Sequence, residues 1–262
     1  VPRYVEETVW YHSVIADPET YGPIRFNPAG NLVWQQHLGL IEEGLRRADG
    51  RYLVGVPDLI ENLDTLAALR GDNTLLIDLI ERPEWVEEKL AEINQAFFSV
   101  FDLLFEKVQV DGGNSFTSFT IWGPGKTAKL QCDISATLSP RMFKRFVVPP
   151  LSEQCRWLDY SLYHLDGTTC LQHLDALLGI EALDAIEWTP QAGLENGGSP
   201  RWFDLYRRIK AGGKSLQAVG VEAEQVIPLL DAIGPQGVFL QLAQPLSPAQ
   251  AEKLIKELEP YR

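Results

Sequence analysis

From Tyr160 onward the chain alternates short apolar runs with helical segments, and this constrains the fold more than any other feature. Tyr160 to Leu165, Ala185 to Trp188, Ser215 to Gly220 and Val238 to Leu242 read as strands. Leu171 to Leu178, Trp202 to Ala211, Ala223 to Ile233 and Pro248 to Leu258 read as the helices that follow them. Strand–helix alternation with short linkers means a parallel sheet covered by helices. Four consecutive units with buried strands predict an α/β protein, a (β/α)8 TIM-type barrel. It is expected as one domain over residues 1–262, with an irregular and helical part at 1–50 and β/α units over 51–262. No glycine-rich dinucleotide fingerprint or phosphate loop follows any strand; Gly112-Gly113 and Gly212-Gly213 are turn signals.

Upstream the pattern is less regular. Residues 1–30 are aromatic and irregular, with a weak helical tendency at their start. The spacing of Leu32, Val33, Gln36, Leu40, Ile41 and Leu45 predicts a helix over 31–47, broken by Asp49-Gly50. Tyr52 to Val56, stopped by Pro57, has a buried-strand signature. Helices are predicted from Asp58 to Ala68 and from Thr74 to Ile80, with a turn at Gly71-Asp72-Asn73. A long helix is predicted from Pro83 to about Glu106, with Pro83 at its first position and Glu84 complementing the dipole. Phe116 to Trp122 reads as a strand stopped by Gly123-Pro124-Gly125, and Lys129 to Ile134 as a strand or extended loop. Ser139-Pro140 opens a helix that Pro149-Pro150 interrupts and Leu151 to Leu158 resumes. Strands at 52–56 and 116–121 bring the total to six, short of a barrel's eight. The shortfall lies at the amino end; the first residue is Val1 and the only methionine is Met142, and the first strands are expected either before Val1 or built differently.

A hydrophobic content of 45% supports a substantial core. The formal net charge of -13 repels phosphate backbones and anionic membrane surfaces, so neither nucleic acid nor membrane is an expected partner. No apolar run approaches the roughly 20 residues of a membrane span, and no basic-then-apolar leader opens the chain, so a cytoplasmic location is expected. The three cysteines, Cys132, Cys155 and Cys170, form no close pairing motif and read as free thiols in a reducing compartment.

A parallel barrel keeps its chemistry at the carboxyl ends of its strands. The polar groups there are Asp58 after the first strand, with Glu61 and Asn62 a turn later. Trp122, Lys126, Gln131, Cys132, Asp133 and Ser135 follow the second, and Tyr163, His164 and Asp166 close the third. Glu187 and Trp188 close the fourth, and Gln241 and Gln244 the last. His164 and Asp166, two apart on a strand, point to the same side and suit general acid/base work or ligation of a divalent metal. Glu187 is the third candidate catalytic group, orienting a substrate hydroxyl or cation. Asp58, Trp122, Gln131, Asp133, Tyr163, Trp188 and Gln241 are candidate substrate contacts, with Trp122 and Trp188 as apolar walls. Cys132 is a candidate third ligand beside His164 and Asp166 if zinc is held. Each also has a structural role open to it: Asp58 and Asp133 as helix caps, the tryptophans as packing, His164 as a core histidine.

Several stretches carry a family resemblance. Leu138-Ser139-Pro140-Arg141-Met142-Phe143, continuing through Phe146 and Val147 to Pro149, resembles the SPxxFxxFxxP helix of the uroporphyrinogen decarboxylase superfamily. Tyr163 through Gly167, Leu174 to Leu177 and Asp184 to Trp188 are similar to that superfamily's next two β/α units, and Asn62 to Ile80 to a segment after an early strand. The resemblance covers most of the chain from about Arg51 and implies the (β/α)8 barrel. It also implies one of two chemistries: cofactor-free decarboxylation of a porphyrinogen, or methyl transfer between a corrinoid and a thiol on zinc held by a His-x-Cys pair and a distant Cys.

The chain departs from both patterns. His164-Leu165-Asp166 stands where the zinc motif has His-x-Cys, and no cysteine follows Cys170. The porphyrinogen-gripping arginines and the late histidine have no counterpart. The expectation is therefore a superfamily enzyme acting on a different, smaller molecule, with decarboxylase-like lyase chemistry ahead of methyl transfer. A corrinoid-linked methyltransferase with altered metal ligands and a non-catalytic binding barrel are the alternatives. The expected partners are a small-molecule substrate, a second copy in a homodimer and, for the methyltransferase, a corrinoid protein.

Overall fold

The computed structural model describes residues 2–4 and 9–261. By their contacts they divide into two units, one ending at Ser161 and one beginning at Leu162.

The first unit opens with a short antiparallel pair, β1 (Pro2–Tyr4) and β2 (Val9–Tyr11). This replaces the weak helix expected at the start of residues 1–30. Helix α1 (Leu32–Ala48) comes next, capped by the Asn31 side chain on the Trp34 amide and ended by Asp49 in the left-handed region at φ 45°. Helices α2 (Asn62–Arg70) and α3 (Asp72–Glu81) meet at Gly71, whose φ of 90° disfavours any side chain. Their junction is held by Arg70. Its Nε lies 2.7 Å from Asp78 Oδ2, and its Nη1 donates to the Ile15 and Ala16 carbonyls.

Helix α4 (Pro83–Val108) starts at proline, as its sequence predicts, and buries Val86, Leu90, Ile93, Phe97, Phe101, Leu104 and Val108 at three- and four-residue steps. Phe97, Phe98 and Phe101 pack against Trp157, with the Phe98 and Trp157 rings 4.7 Å apart. Lys126 lies over the same indole at 4.1 Å.

Two expected parallel strands are not found here. Tyr52 to Val56 forms no strand; only Val56 pairs, in a parallel bridge to Phe116. Phe116 to Trp122 is not one strand but a tight reversal. β3 (Asn114–Phe116) turns through residues 118–120 and returns antiparallel as β4 (Ile121–Gly123). Phe119 at φ 61° and Thr120 at φ 50° make that turn. β5 (Thr127–Leu130) comes after it, then a 3-10 turn over Asp133–Thr137.

Helix α5 (Pro140–Met142) begins at Ser139, whose hydroxyl caps the Met142 amide. Pro149 and Pro150 do not break the helical path. The chain widens into a π-turn at Phe143–Val147, where the Val148 amide reaches the Phe143 carbonyl, and continues as α6 (Val148–Trp157). The wider turn makes room for prolines that cannot donate to the carbonyls four residues back.

The second unit keeps the predicted alternation. β6 (Tyr160–Asp166) is followed by α7 (Gly167–Cys170) and α8 (Leu174–Leu178). Next come β7 (Ala185–Thr189), α9 (Phe203–Ala211), β8 (Ser215–Val221), α10 (Val226–Ile233), β9 (Val238–Leu242) and α11 (Pro248–Glu257). β6 to β9 lie side by side in sequence order, all parallel.

The register sorts the side chains by face. Tyr163, Leu165, Ile186, Trp188, Leu216 and Ala218 form one apolar face, buried under Trp202 and α9. His164, Asp166, Glu187, Thr189 and Gln217 form the other, which is polar. Among the described residues no strand pairs with the outer edge of β9, where Phe239 is 44% exposed.

Candidate functional site

The polar face of the second unit is organised by one register relation. His164 on β6 stands opposite Glu187 on β7, which stands opposite Gln217 on β8. His164 Nδ1 and Glu187 Oε2 are hydrogen-bonded to each other. The second carboxylate oxygen of Glu187 accepts from the Thr189 hydroxyl at 2.7 Å, so both are engaged. Glu187 is wholly buried, whereas the His164 side chain keeps 12% of its surface exposed. The arrangement is a partly exposed imidazole on the polar face of the sheet with a buried carboxylate behind it.

The electrostatics follow from burial. Loss of water pushes the Glu187 carboxyl above its ordinary range, while the hydrogen bonds from His164 and Thr189 pull it back down. Asp166, one step further along β6 and exposed, adds a like charge that pushes it up. Tyr206, buried on α9, is pushed far above the ordinary phenol value by burial and by the Glu187 charge. Its hydroxyl donates to the Gly197 carbonyl at 2.6 Å and pins the loop after β7. With Nδ1 committed to a carboxylate, the tautomer and orientation of the His164 ring are fixed.

Of the residues expected at the site, His164, Asp166 and Glu187 share one face of this sheet. Tyr163 and Trp188 are on the other. Trp188 is wholly buried with its ring 5.0 Å from Trp202, and it serves packing there. Gln241 is exposed on the last strand. Asp58, Trp122, Gln131, Cys132 and Asp133 belong to the first unit. Trp122 is 55% exposed on β4. Asp58, Gln131 and Asp133 gather with Glu61, Asp64 and Lys129 in a polar cluster of their own. Sequence reasoning missed Lys129, Thr189 and Gln217. A lysine and a glutamine in the middle of otherwise apolar strands were the available signals.

The zinc set expected from His164, Asp166 and Cys132 fits in part. His164 Nε2 and the Asp166 carboxylate are suitable donor atoms, and a carboxylate behind Nδ1 is a common support for a ligating histidine. Cys132, 2% exposed, belongs to no group of three side chains close enough to hold a metal among the described residues. Burial pushes its thiol well up, and Asp64 and Asp133 push it further. The residues do not make a thiolate zinc centre.

The fold is thus a parallel α/β architecture with polar groups along the strands of one face. No family model matches the chain, and no curated protein matches its sequence. Among solved structures, a methyltransferase from Methanosarcina mazei shares its fold with a TM-score of 0.54. The two are 11% identical, over 91% of this chain and 70% of that one. Among the described residues no helix is long and apolar enough to cross a membrane.

Proposed function

We propose that this chain is an acid–base enzyme of the uroporphyrinogen decarboxylase superfamily, built on that superfamily's barrel plan and acting on a small molecule other than the porphyrinogen. His164 is the proton-transfer group and Glu187 is the positioning group that fixes its ring. The observation that carries this reading is the His164–Glu187 contact across two parallel strands, with the acid buried and the imidazole partly open. Thr189 holds the far carboxylate oxygen, and Asp166 offers an exposed carboxylate on the same side for a substrate donor.

In this mechanism a bound substrate gives a proton to, or takes one from, His164 Nε2. The change of charge on the ring is balanced by Glu187 across the shared hydrogen bond. Metal-independent turnover of small carboxylic acids, followed as CO2 release in the presence of a chelator, tests it. The expected result is turnover that His164→Asn abolishes and Glu187→Gln lowers roughly a hundredfold. Glu187→Asp should restore part of it and shift the pH profile. Turnover unaffected by His164→Asn contradicts the proposal.

A second reading is methyl transfer from a corrinoid, supported by the shared fold with the Methanosarcina methyltransferase. It predicts thiol-dependent demethylation of a methylcorrinoid and a stoichiometric metal lost in His164→Asn.

A further inference from the structure

We propose a second ligand site in the first unit, around Lys129, that binds a small organic cation carrying N–H donors, such as a primary ammonium or a guanidinium. This rests on different residues from the His164–Glu187 reading. β5 and the residue after it send Lys129 and Gln131 to one side, two positions apart. Lys129 is wholly buried, its Nζ 2.6 Å from Asp58 Oδ1, and it also donates to Gln131 Oε1. Gln131 extends the network. Its Nε2 donates to Asp133 Oδ2 at 3.0 Å and Asp64 Oδ2 at 3.2 Å, and its backbone N–H to Glu61 Oε1 at 2.5 Å.

One ammonium therefore stands among three aspartates and the buried Glu61 carboxyl, and among the described residues two oxygens of the cluster are left without a hydrogen-bond partner. They are Glu61 Oε2 and Asn62 Oδ1, both on wholly buried side chains. The Asn62 amide is fixed by its own nitrogen, which donates to Gln154 Oε1 at 3.0 Å, so its oxygen cannot be turned to another partner without losing that bond. Buried polar oxygens of this kind call for a partner. The surplus of negative charge calls for a positive one.

The four carboxylates of this cluster do not by themselves suit a metal ion. No three of Asp58, Glu61, Asp64 and Asp133, all described residues, bring one oxygen each within 4.8 Å of one another, and hard cations need their oxygens at about 2.0–2.6 Å. An organic cation with N–H groups spread along its length can meet oxygens that are further apart. Asp58, 48% exposed, and the exposed Asp133 form the entry side. Burial pushes the Glu61 carboxyl well above its ordinary value against the pull of Lys129, so arrival of a cation should expel a proton from it.

Calorimetric titration of the full chain with ethanolamine, agmatine, glycerol and Mg2+, in two buffers of different ionisation enthalpy, decides the matter. The expected result is saturable binding of ethanolamine or agmatine, weakened about tenfold or more by Asp58→Asn and by Glu61→Gln. Proton release should accompany binding in the natural chain and vanish in Glu61→Gln. Asp58 is half exposed, so Asp58→Asn remains informative even if Glu61→Gln fails to fold. Binding of neither cation, binding of glycerol as tightly as the cations, tighter binding of Mg2+, or affinities unchanged by Asp58→Asn overturns the proposal.

Discussion

His164 and Glu187 occupy directly opposed register positions on neighbouring parallel strands, and the imidazole Nδ1 meets the carboxylate without either strand leaving its ladder. A one-residue slip of β6 against β7 would move one of the two to the helix-covered face. The candidate site is thus a consequence of sheet register, and the apolar face that fixes the register also supports the site.

That coupling separates the two faces experimentally. Trp188→Ala, on the apolar face, removes an indole packed against Trp202. It should cost about 3–5 kcal/mol in urea denaturation. Asp166→Asn, exposed on the polar face, should stay within about 0.5 kcal/mol of the natural chain while changing turnover. An Asp166→Asn chain that loses only stability would remove Asp166 from the site.

Glu61 gives a pH prediction. Burial raises its folded-state pKa above the unfolded value of about 4.3. Below that value both states hold the proton and stability is at its fullest. As pH rises above it, the unfolded chain releases the proton first and stability falls until the folded pKa is passed. Glutamine cannot ionise, so Glu61→Gln should gain stability relative to the natural chain as pH is raised from 4 toward 8, in parallel denaturation curves. A constant difference across that range would contradict a buried, proton-holding Glu61.

Arg70 joins the entry segment to α2 and α3 through Asp78 and the carbonyls of Ile15 and Ala16. Arg70→Met leaves a wholly buried Asp78 with only the Arg82 guanidinium, 2.9 Å away. The expected loss is about 3–5 kcal/mol, read from the denaturation midpoint. Replacing Arg70 and Asp78 together should cost less than the sum of the two single changes.

Much of this was legible in the sequence, and the failures have physical causes. The units after Tyr160 read correctly because dense apolar runs alternate with amphipathic segments such as α9 and α10, bounded by glycines. Phe116 to Trp122 misleads because its β-rich residues suggest one strand, while the reversal is made by Phe119 and Thr120 at positive φ, with no glycine to announce it. Tyr52 to Val56 has strand composition but pairs only at Val56, because pairing is decided by neighbours distant in sequence. At the site, His164, Asp166 and Glu187 could be named, but their partnership depends on register, which no local pattern reports. The parity of β7 was readable: Glu187 and Trp188 are adjacent on a strand and so must face opposite ways. Lys129 was hidden because lysine on a short strand normally signals a solvated face.

The most direct test of the central claim is the 15N NMR spectrum of the His164 ring in the natural chain and in Glu187→Gln. The account predicts a proton on Nδ1 hydrogen-bonded to a carboxylate, whose resonance moves upfield when Glu187 becomes glutamine. A His164 ring with no Nδ1 proton, or one whose spectrum does not change with Glu187→Gln, would contradict it.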